Sequence, residues 1–379
     1  MPVNGVCVRS GKTGPDMNIQ DKSSDFSSSD RLIGAIDCDV HNAVPTVRAL
    51  YPYLSDYWID LMTDGGHPSL EPNYYPVNSP IAARPGSRVS KGPPGSDLAT
   101  LITQTLDDTG AQRVILNCLY GVQLLHNEYW AAAMASAVND WLAADWLARD
   151  SRLSASIVVT PQNPQAAVAE IEKRAADLRF VQVLLLARSQ MPLGKSFYWP
   201  IYEAAARHKL PICVHAGGGF GNPTMPVGWQ YYYLEEYLAV AQGFQGQLTS
   251  LVMEGVFSKF PDLKVVFAES GFTWVPSLMW RLDKNWKGLR REVPWIDRLP
   301  SEIIKQHFRF TLQPLDEPAS PKQLLQVIEQ LGSDELLLFS TDYPHWQYDH
   351  EGPLPAGLSP QIERNIVRAN AERIYRFHA

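Results

Sequence analysis

The chain has 379 residues, enough for one large domain or two ordinary ones, and 45% of them are hydrophobic. Its formal net charge of −7 argues against a nucleic-acid or anionic-membrane surface, because both need clustered positive charge. No run of about 18 apolar residues occurs, so the sequence predicts no membrane-spanning helix. We therefore expect a globular protein that binds a small molecule.

The N-terminal segment, residues 1–33, is polar and rich in Ser, Asp, Gly and Lys. We predict a disordered or loosely docked arm, because such a composition offers little apolar surface to bury. The segment lacks the apolar stretch of a secretory signal, which leads us to expect a cytoplasmic protein.

Eight short apolar runs follow the arm, and segments with helical spacing of apolar residues separate them. The runs are mostly continuous in Val, Ile, Leu and Phe, which is typical of parallel strands covered on both faces. They are residues 34–40, 112–118, 154–159, 180–186, 211–215, 263–268, 308–312 and 335–341. Eight strands, each followed by a helix, predict a (β/α)8 TIM barrel formed as a single domain by residues 34–379. The competing fold, a doubly wound sheet, usually has fewer strands and a Gly-rich first turn.

A long insertion, about residues 43–96, separates the first strand from its helix. A loop of this length is uncommon unless it is functional. Its aromatic residues predict a packed lid over the barrel mouth, and a dimerisation flap is the alternative. With the long helices, the insertion leads us to expect a homodimer or a higher homo-oligomer. These aromatic residues are Tyr51, Tyr53, Tyr57, Trp58, Tyr74 and Tyr75.

Polar side chains stand at four of the predicted strand ends, where the catalytic groups of a TIM barrel lie. The first strand ends in Asp39 and His41, the fifth in His215, the sixth in Glu269 and the eighth in Asp342. Side chains two residues apart in a strand share one face, so the first two point the same way. Two imidazoles and two carboxylates suit Zn2+, and also Mn2+ or Fe2+. We predict one divalent cation, Zn2+ in the first place, bound by Asp39, His41, His215 and Asp342.

Further roles follow from this arrangement. A metal-activated water needs a proton acceptor, which we assign to Asp342, with Glu269 sharing the task. We predict that His345 contacts substrate or orients Asp342, and that Asp37, deeper on the same face, is a hydrogen-bonded support. Residues that follow other strand ends are assigned to substrate binding, namely Asn42, Asn117, Tyr120 and Arg188.

The motifs IDCDVHN, VHAGG, FAESGFTWVPSLMWRLD and STDYPHW resemble the amidohydrolase-2 branch of the amidohydrolase superfamily. That branch includes aminocarboxymuconate-semialdehyde decarboxylase and γ-resorcylate decarboxylase, and the resemblance runs from about residue 34 to 379. It implies a (β/α)8 barrel with one divalent metal held by the four residues named above. The lysine that bridges two metals in binuclear relatives has no counterpart in FVQVLLLAR, which favours a single ion. The branch's decarboxylases typically place a catalytic histidine where this chain has Glu269.

This departure at Glu269 makes hydrolysis our first prediction: a metal-activated water attacks an amide, lactone or ester of a small aromatic or cyclic acid. The alternative is non-oxidative decarboxylation of an aromatic or muconate-type acid. A third hypothesis, compatible with the same fold, is a hydratase. A metal-binding module without catalysis is the non-enzymatic reading.

Overall fold

The computed structural model describes residues 32–67, 70, 83, 86–90, 92–218, 227–230, 232–345 and 354–377. Eight parallel strands are hydrogen-bonded in chain order within these residues, which confirms the predicted (β/α)8 barrel. The strands are β1 Ile36–Val40, β2 Arg113–Leu116, β3 Leu153–Val158, β4 Phe180–Leu186, β5 Ile212–His215, β6 Val265–Ala268, β7 Phe308–Thr311 and β8 Leu337–Leu338.

The segment that follows β8 pairs with β1 and brings the two ends of the sheet together. Val40 forms a parallel bridge with Tyr343, and the backbone N–H of Asp342 donates to the carbonyl of Asp39 at 3.1 Å. Lower in the barrel, the N–H of Cys38 donates to the carbonyl of Phe339 at 2.9 Å. This pairing places the predicted acidic residues of the first and eighth strand ends side by side.

Helices surround the strands, and several begin at a residue that caps free N–H groups. Asn163, for example, accepts from the N–H of Ala166, and Pro164 occupies the first helical position, where its missing N–H costs nothing. The helices are α1 Asp56–Asp64, α2 Leu98–Ile102, α3 Glu128–Trp141, α4 Pro164–Arg174, α5 Trp199–Arg207, α6 Tyr233–Met253, α7 Val256–Lys259, α8 Val275–Leu289, α9 Pro300–His307, α10 Pro321–Gln330, α11 Pro360–Arg364 and α12 Asn370–Ile374. In the part of the chain that the structure describes, none of them is both long and apolar enough to cross a membrane.

An apolar layer fills the base of the barrel, at the N-terminal ends of the strands. It contains one or two residues from each of five strands, and the segment after α12 closes it from below with Tyr375, which is 5% exposed. The strand residues of the layer are Ile36, Cys38, Ile115, Val181, Val266 and Leu338. A layer contributed by strands on opposite sides of the barrel lies in its interior, so polar groups at the mouth are separated from solvent below.

Two register shifts change which side chains point into the barrel. Between Asp37 and Val40, β1 has one more residue than β2, and between Phe180 and Gln182, β4 has one more residue than β3. Such bulges break the alternation of side chains and turn the following residue. The prediction that Asp37 shares the face of Asp39 is therefore wrong: it assumed an unbroken period of two, whereas Ile36 and Cys38 occupy the interior layer.

Asp37 accepts three hydrogen bonds, and the two from Thr341 tie β1 to the segment that follows β8. Its Oδ1 accepts from the backbone N–H of Thr341 at 3.0 Å and from that of Asp39 at 3.2 Å, and its Oδ2 accepts from the Thr341 hydroxyl at 2.6 Å. Burial raises the pKa of Asp37 to about 7 although these hydrogen bonds lower it. The hydrogen-bonded support that the sequence predicts is thus present.

The described part of the insertion packs against α3 before it returns to the barrel mouth. A 3-10 helix, Val47–Tyr53, precedes α1, and the hydroxyl of Tyr53 donates to Asp145 at 3.1 Å. The insertion returns at Gly95, whose φ is +79° and where a Cβ would clash with the carbonyl of His41, so only glycine fits this close approach. Tyr74, Tyr75 and nearly all of the N-terminal arm lie outside the described residues, and the lid stays a prediction.

Candidate active site

Three of the predicted metal ligands meet at the mouth of the barrel, where β1 and β5 end. Asp39 and His215 are fully buried, and His41 is 7% exposed. Nε2 of His215 lies 3.1 Å from Oδ2 of Asp39, and Nε2 of His41 lies 3.5 Å from Oδ1 of the same carboxylate. One potential ligand atom of each residue lies within 4.8 Å of those of the others. The cluster is compact enough for one cation.

The fourth predicted ligand, Asp342, lies against the same cluster. Its Oδ1 atom is 3.0 Å from Nε2 of His41 and 3.0 Å from Nδ1 of His345. Its Oδ2 atom is buried and has no hydrogen-bond partner among the described residues. Asp342 has a φ of +56°, a left-handed conformation that is uncommon for a residue with a side chain and that is often found at functional sites. The structure thus brings all four predicted residues together.

Glu269 completes a second group with Asp342, His41 and His345, whose potential ligand atoms also lie within 4.8 Å of one another. Oε2 of Glu269 lies 3.8 Å from Nδ1 of His215. Its φ of +57° is left-handed, as at Asp342. Its side chain is 12% exposed and that of His345 is 33% exposed, whereas the carboxylate of Asp342 is fully buried. Glu269 and His345 are therefore the members that face the opening.

The charges of these groups shift one another's pKa values. Burial raises the pKa of Glu269 to about 8, with a further contribution from the negative charge of Asp342. Burial opposes protonation of His345, but Asp342 raises its pKa to about 9; in the same way Asp39 raises the pKa of His215 to about 10. The pKa of Asp342 would rise through burial alone, but the imidazoles hold it well below its usual range. The protein groups alone therefore keep protons beside buried carboxylates at neutral pH.

The donor set fits a divalent cation. Imidazole nitrogens and carboxylate oxygens are ligands for Zn2+, Mn2+ and Fe2+, and the unpaired Oδ2 of Asp342 is the kind of buried atom that a cation would satisfy. The backbone carbonyl of Asn117 accepts from Nδ1 of His41 at 3.1 Å, and that of Ala216 from Nδ1 of His215 at 2.7 Å. Both bonds leave the Nε2 atoms directed at the cluster, which is the orientation that metal-bound histidines need.

The four residues assigned to substrate binding have different surroundings. Asn117 is fully buried and donates to Oδ1 of Asp39 at 2.8 Å, so its amide orients a carboxylate of the cluster. Arg188 forms a 2.6 Å ion pair with Glu236 of α6, and both side chains are about nine-tenths buried. Tyr120 is 2% exposed. Asn42 is also 2% exposed, and neither atom of its amide has a partner in the described part of the chain.

Sequence reasoning missed Glu236, which pairs with Arg188, and Ser156 and Gln182, which form hydrogen bonds to Asn117. It also missed Tyr375 at the base of the barrel, whose hydroxyl donates to Gln182. The signal for two of them was present, because Gln182 interrupts an otherwise apolar β4 and Ser156 is one of two serines in the fully buried β3. A polar residue on a strand buried on both faces must find a partner inside the protein.

The fold and the cluster define a TIM-barrel enzyme with a buried histidine–carboxylate centre at its mouth. The sequence matches the model of the amidohydrolase family over residues 36–377, and the chain belongs to this family. It is an enzyme of the amidohydrolase superfamily.

Curated relatives include the gamma-resorcylate decarboxylase of a Polaromonas species, 24% identical over 74% of this chain and 88% of that protein. The gamma-resorcylate decarboxylase of a Rhizobium species is 25% identical over the same shares. Among solved structures, 2,6-dihydroxybenzoate decarboxylase from Rhizobium has a TM-score of 0.66 and 23% identity, covering 90% of this chain and 98% of that one. A dihydroxybenzoic acid decarboxylase from Polaromonas, solved with manganese and 2-nitroresorcinol, has a TM-score of 0.66 and 21% identity, covering 90% and 96%.

The first functional prediction, hydrolysis of an amide, lactone or ester, is wrong. The curated relatives described above are named decarboxylases, which favours the alternative given with that prediction. The error came from weight placed on Glu269: a carboxylate in place of a histidine does not exclude decarboxylation, because a buried glutamate with a raised pKa also carries a proton.

Proposed function

We propose that the protein is a metal-dependent, non-oxidative decarboxylase of a small aromatic acid with a hydroxyl group beside its carboxylate. The names of the curated relatives support this substrate class. The observation that carries the proposal is the placement of Glu269, an acid with a raised pKa, next to the four-residue cluster and on its open side. Decarboxylation needs a proton donor at that place, whereas it needs no water.

Asp39, His41, His215 and Asp342 would hold the cation. When bound, a divalent cation would draw the carboxylate and the neighbouring hydroxyl of the substrate into one orientation and withdraw electron density from the ring. We propose Mn2+, the ion present in the Polaromonas structure described above, in place of the Zn2+ predicted from the sequence. Both ions, and Fe2+, suit this donor set.

Proton delivery is assigned to Glu269. Loss of carbon dioxide breaks the bond between the ring carbon and the carboxyl carbon and leaves its electron pair on the ring carbon, which must then take up a proton. Glu269 holds such a proton and faces the opening. His345, more exposed, is the group through which a proton from solvent would replace it. Asp342 acts as a ligand and as the negative charge that raises both pKa values.

Further parts of the proposal concern binding and assembly. Asn42, Tyr120 and Arg188 would line the substrate pocket. Residues 34–379 would form one domain, with the insertion at about 43–96 and the arm at 1–33. Exposed apolar side chains just before and within α6 support a homo-oligomer, namely Val227, Trp229, Tyr232, Leu234 and Leu238, each at least 66% exposed. The cytoplasmic location stays a prediction.

The test loads metal-free protein with Mn2+, Zn2+ or Fe2+ and measures carbon dioxide release from hydroxybenzoates such as 2,6-dihydroxybenzoate. Benzoate, which lacks the neighbouring hydroxyl, is the matched control. In D2O the product should carry one deuterium at the carbon that lost the carboxylate. Release of carbon dioxide from none of these hydroxy acids by any loaded form would refute the proposal.

A further inference from the structure

A buried chain of hydrogen bonds joins the proposed metal centre to the base of the barrel. Asn117 Nδ2 donates to Asp39 Oδ1 at 2.8 Å, and the hydroxyl of Ser156 donates to Asn117 Oδ1 at 2.5 Å. Gln182 Nε2 lies 2.9 Å from Ser156 Oγ and 3.2 Å from Asn117 Oδ1. The hydroxyl of Tyr375 donates to Gln182 Oε1 at 2.9 Å. The first four residues are fully buried, and Tyr375 is 5% exposed.

The bulge in β4 is what admits Gln182 to this chain. Val181 belongs to the interior layer, and the extra residue in the strand turns the next side chain inward as well, where it pairs in register with Ser156 of β3. An amide in a barrel interior is costly unless both of its ends are paired. Here Asn117 and Ser156 satisfy the nitrogen, and Tyr375 satisfies the oxygen.

Each hydrogen bond of this network is donated toward the Asp39 end, and the first donor is the hydroxyl of Tyr375. Among the described residues, the phenol hydroxyl of Tyr375 has Gln182 Oε1 as its hydrogen-bond partner and donates to it. Without it, Gln182 Oε1 faces the apolar base unpaired, and the present amide orientation loses its advantage over the rotated one, in which Oε1 accepts from the Ser156 hydroxyl and Nε2 faces the base. That rotation takes donors away from Asn117 Oδ1. The Asn117 amide then loses the bonds that keep its Nδ2 on Asp39.

Asn117 is the joint between this chain and the cluster. Its side chain donates to Asp39, and its backbone carbonyl accepts from Nδ1 of His41. Two proposed ligands from one strand thus share a single orienting residue. Groups that orient ligands in this way commonly change metal affinity 10- to 100-fold when removed.

We propose that Tyr375 is a positioning residue for Asp39, acting through Gln182, Ser156 and Asn117 from the opposite end of the barrel. The C-terminal segment thereby sets metal affinity at the mouth. The inference rests on the proposed role of Asp39 as a metal ligand.

The experiment compares Tyr375→Phe with Tyr202→Phe. The first change keeps the ring in the base layer and removes only the hydroxyl. Tyr202 is the matched control, because it is fully buried and its hydroxyl donates to the Leu193 carbonyl, which is not part of this hydrogen-bond network. Each metal-free protein is titrated with Mn2+ in competition with a chromophoric chelator, and its thermal unfolding is recorded. We expect Tyr375→Phe to bind Mn2+ about 10-fold more weakly than the natural chain, and Tyr202→Phe to bind it unchanged.

A second variant, Gln182→Met, interrupts the same hydrogen bonds without changing Tyr375 at the base, since methionine has similar length and no amide. It separates loss of these bonds from a local folding defect at Tyr375. It should also weaken Mn2+ binding. Combining it with Tyr375→Phe should weaken Mn2+ binding little further, because both substitutions break the same hydrogen-bond network. Equal affinity in the natural chain, Tyr375→Phe and Gln182→Met would overturn the inference while leaving the proposed function intact. Absence of Mn2+ binding by the natural protein would overturn the inference together with the assignment of Mn2+.

Discussion

Histidines at the two ends of the barrel have opposite surroundings. At the mouth, His215 and His345 lie beside carboxylates, which raise their pKa values to about 10 and about 9 despite burial. At the base, His307 is stacked on Phe257 with ring centroids 4.4 Å apart, and burial lowers its pKa to about 4. The mouth thus stabilises charged imidazoles, whereas the base keeps its histidine neutral and packed against an aromatic ring. The neighbouring carboxylate, and not burial alone, decides which role a buried histidine has.

The largest effect should come from the carboxylate at the centre of the mouth. Asp342→Asn removes a ligand oxygen and the negative charge that raises the pKa values of Glu269 and His345. We expect kcat/KM for a decarboxylated hydroxybenzoate to fall by about a thousandfold or more, with an unchanged circular dichroism spectrum. Asp262→Asn, an exposed carboxylate at the base before β6, is the control. Near-normal activity of Asp342→Asn would remove that residue from the mechanism.

Glu269→Gln tests the proton donor while it keeps the size and hydrogen bonding of the side chain. Loss of a general acid costs about 10²- to 10⁴-fold, so kcat should fall within this range while Mn2+ binding is retained. The exposed Glu292→Gln is the control. A drop of less than threefold would assign Glu269 to support.

The pH profile of the natural chain gives a second view of Glu269. Its acid form is required, so kcat should fall as the pH rises through the pKa of this group. That pKa is about 8 from burial and Asp342, and a bound cation would lower it. The falling limb should therefore lie at or below pH 8 and be absent from whatever activity Glu269→Gln retains. A limb that persists in the variant would belong to another group.

The contrast between mouth and base also divides what the sequence could predict. Asp39, His215 and Asp342 were predictable, because strand ends follow from apolar runs and a parallel barrel gathers its carboxyl ends at one face. The direction of Asp37 and Gln182 was not. It depends on one extra residue in β1 and in β4 relative to their neighbours, and pairing between strands is not encoded in the period of either strand. Tyr375 and Gln182 are 193 residues apart, and nothing local relates them.

His307 provides the test of the base. Its Nδ1 donates to the Leu263 carbonyl at 2.8 Å, and its Nε2 has no partner among the described residues. Its folded pKa of about 4 is below the unfolded value of about 6.5, so its contribution is complete above pH 6.5 and is lost as the pH falls toward 4. His307→Asn keeps a donor for Leu263 and cannot gain a charge. Between pH 7 and pH 5, the natural chain should lose about 2 kcal/mol more unfolding free energy than this variant, measured by urea titration.

Equal losses in the two proteins would show that His307 does not carry the acid sensitivity of the base. Gln306→Asn is the control, since Gln306 is the exposed neighbour of His307 and carries no titratable group. That substitution should leave the difference between pH 7 and pH 5 close to the natural value.

The smallest effect concerns Asn42, a side chain for which we expect stability and substrate binding to have opposite requirements. Its amide is buried and unpaired in the described part of the chain, which costs stability unless a ligand pairs it. Asn42→Leu should therefore raise the unfolding free energy of the substrate-free protein by about 1 kcal/mol. It should also raise KM about tenfold with little change in kcat, which corresponds to one hydrogen bond to the substrate. Greater stability with an unchanged KM would make Asn42 a packing defect, and only the two changes together would identify a group kept unpaired for the substrate.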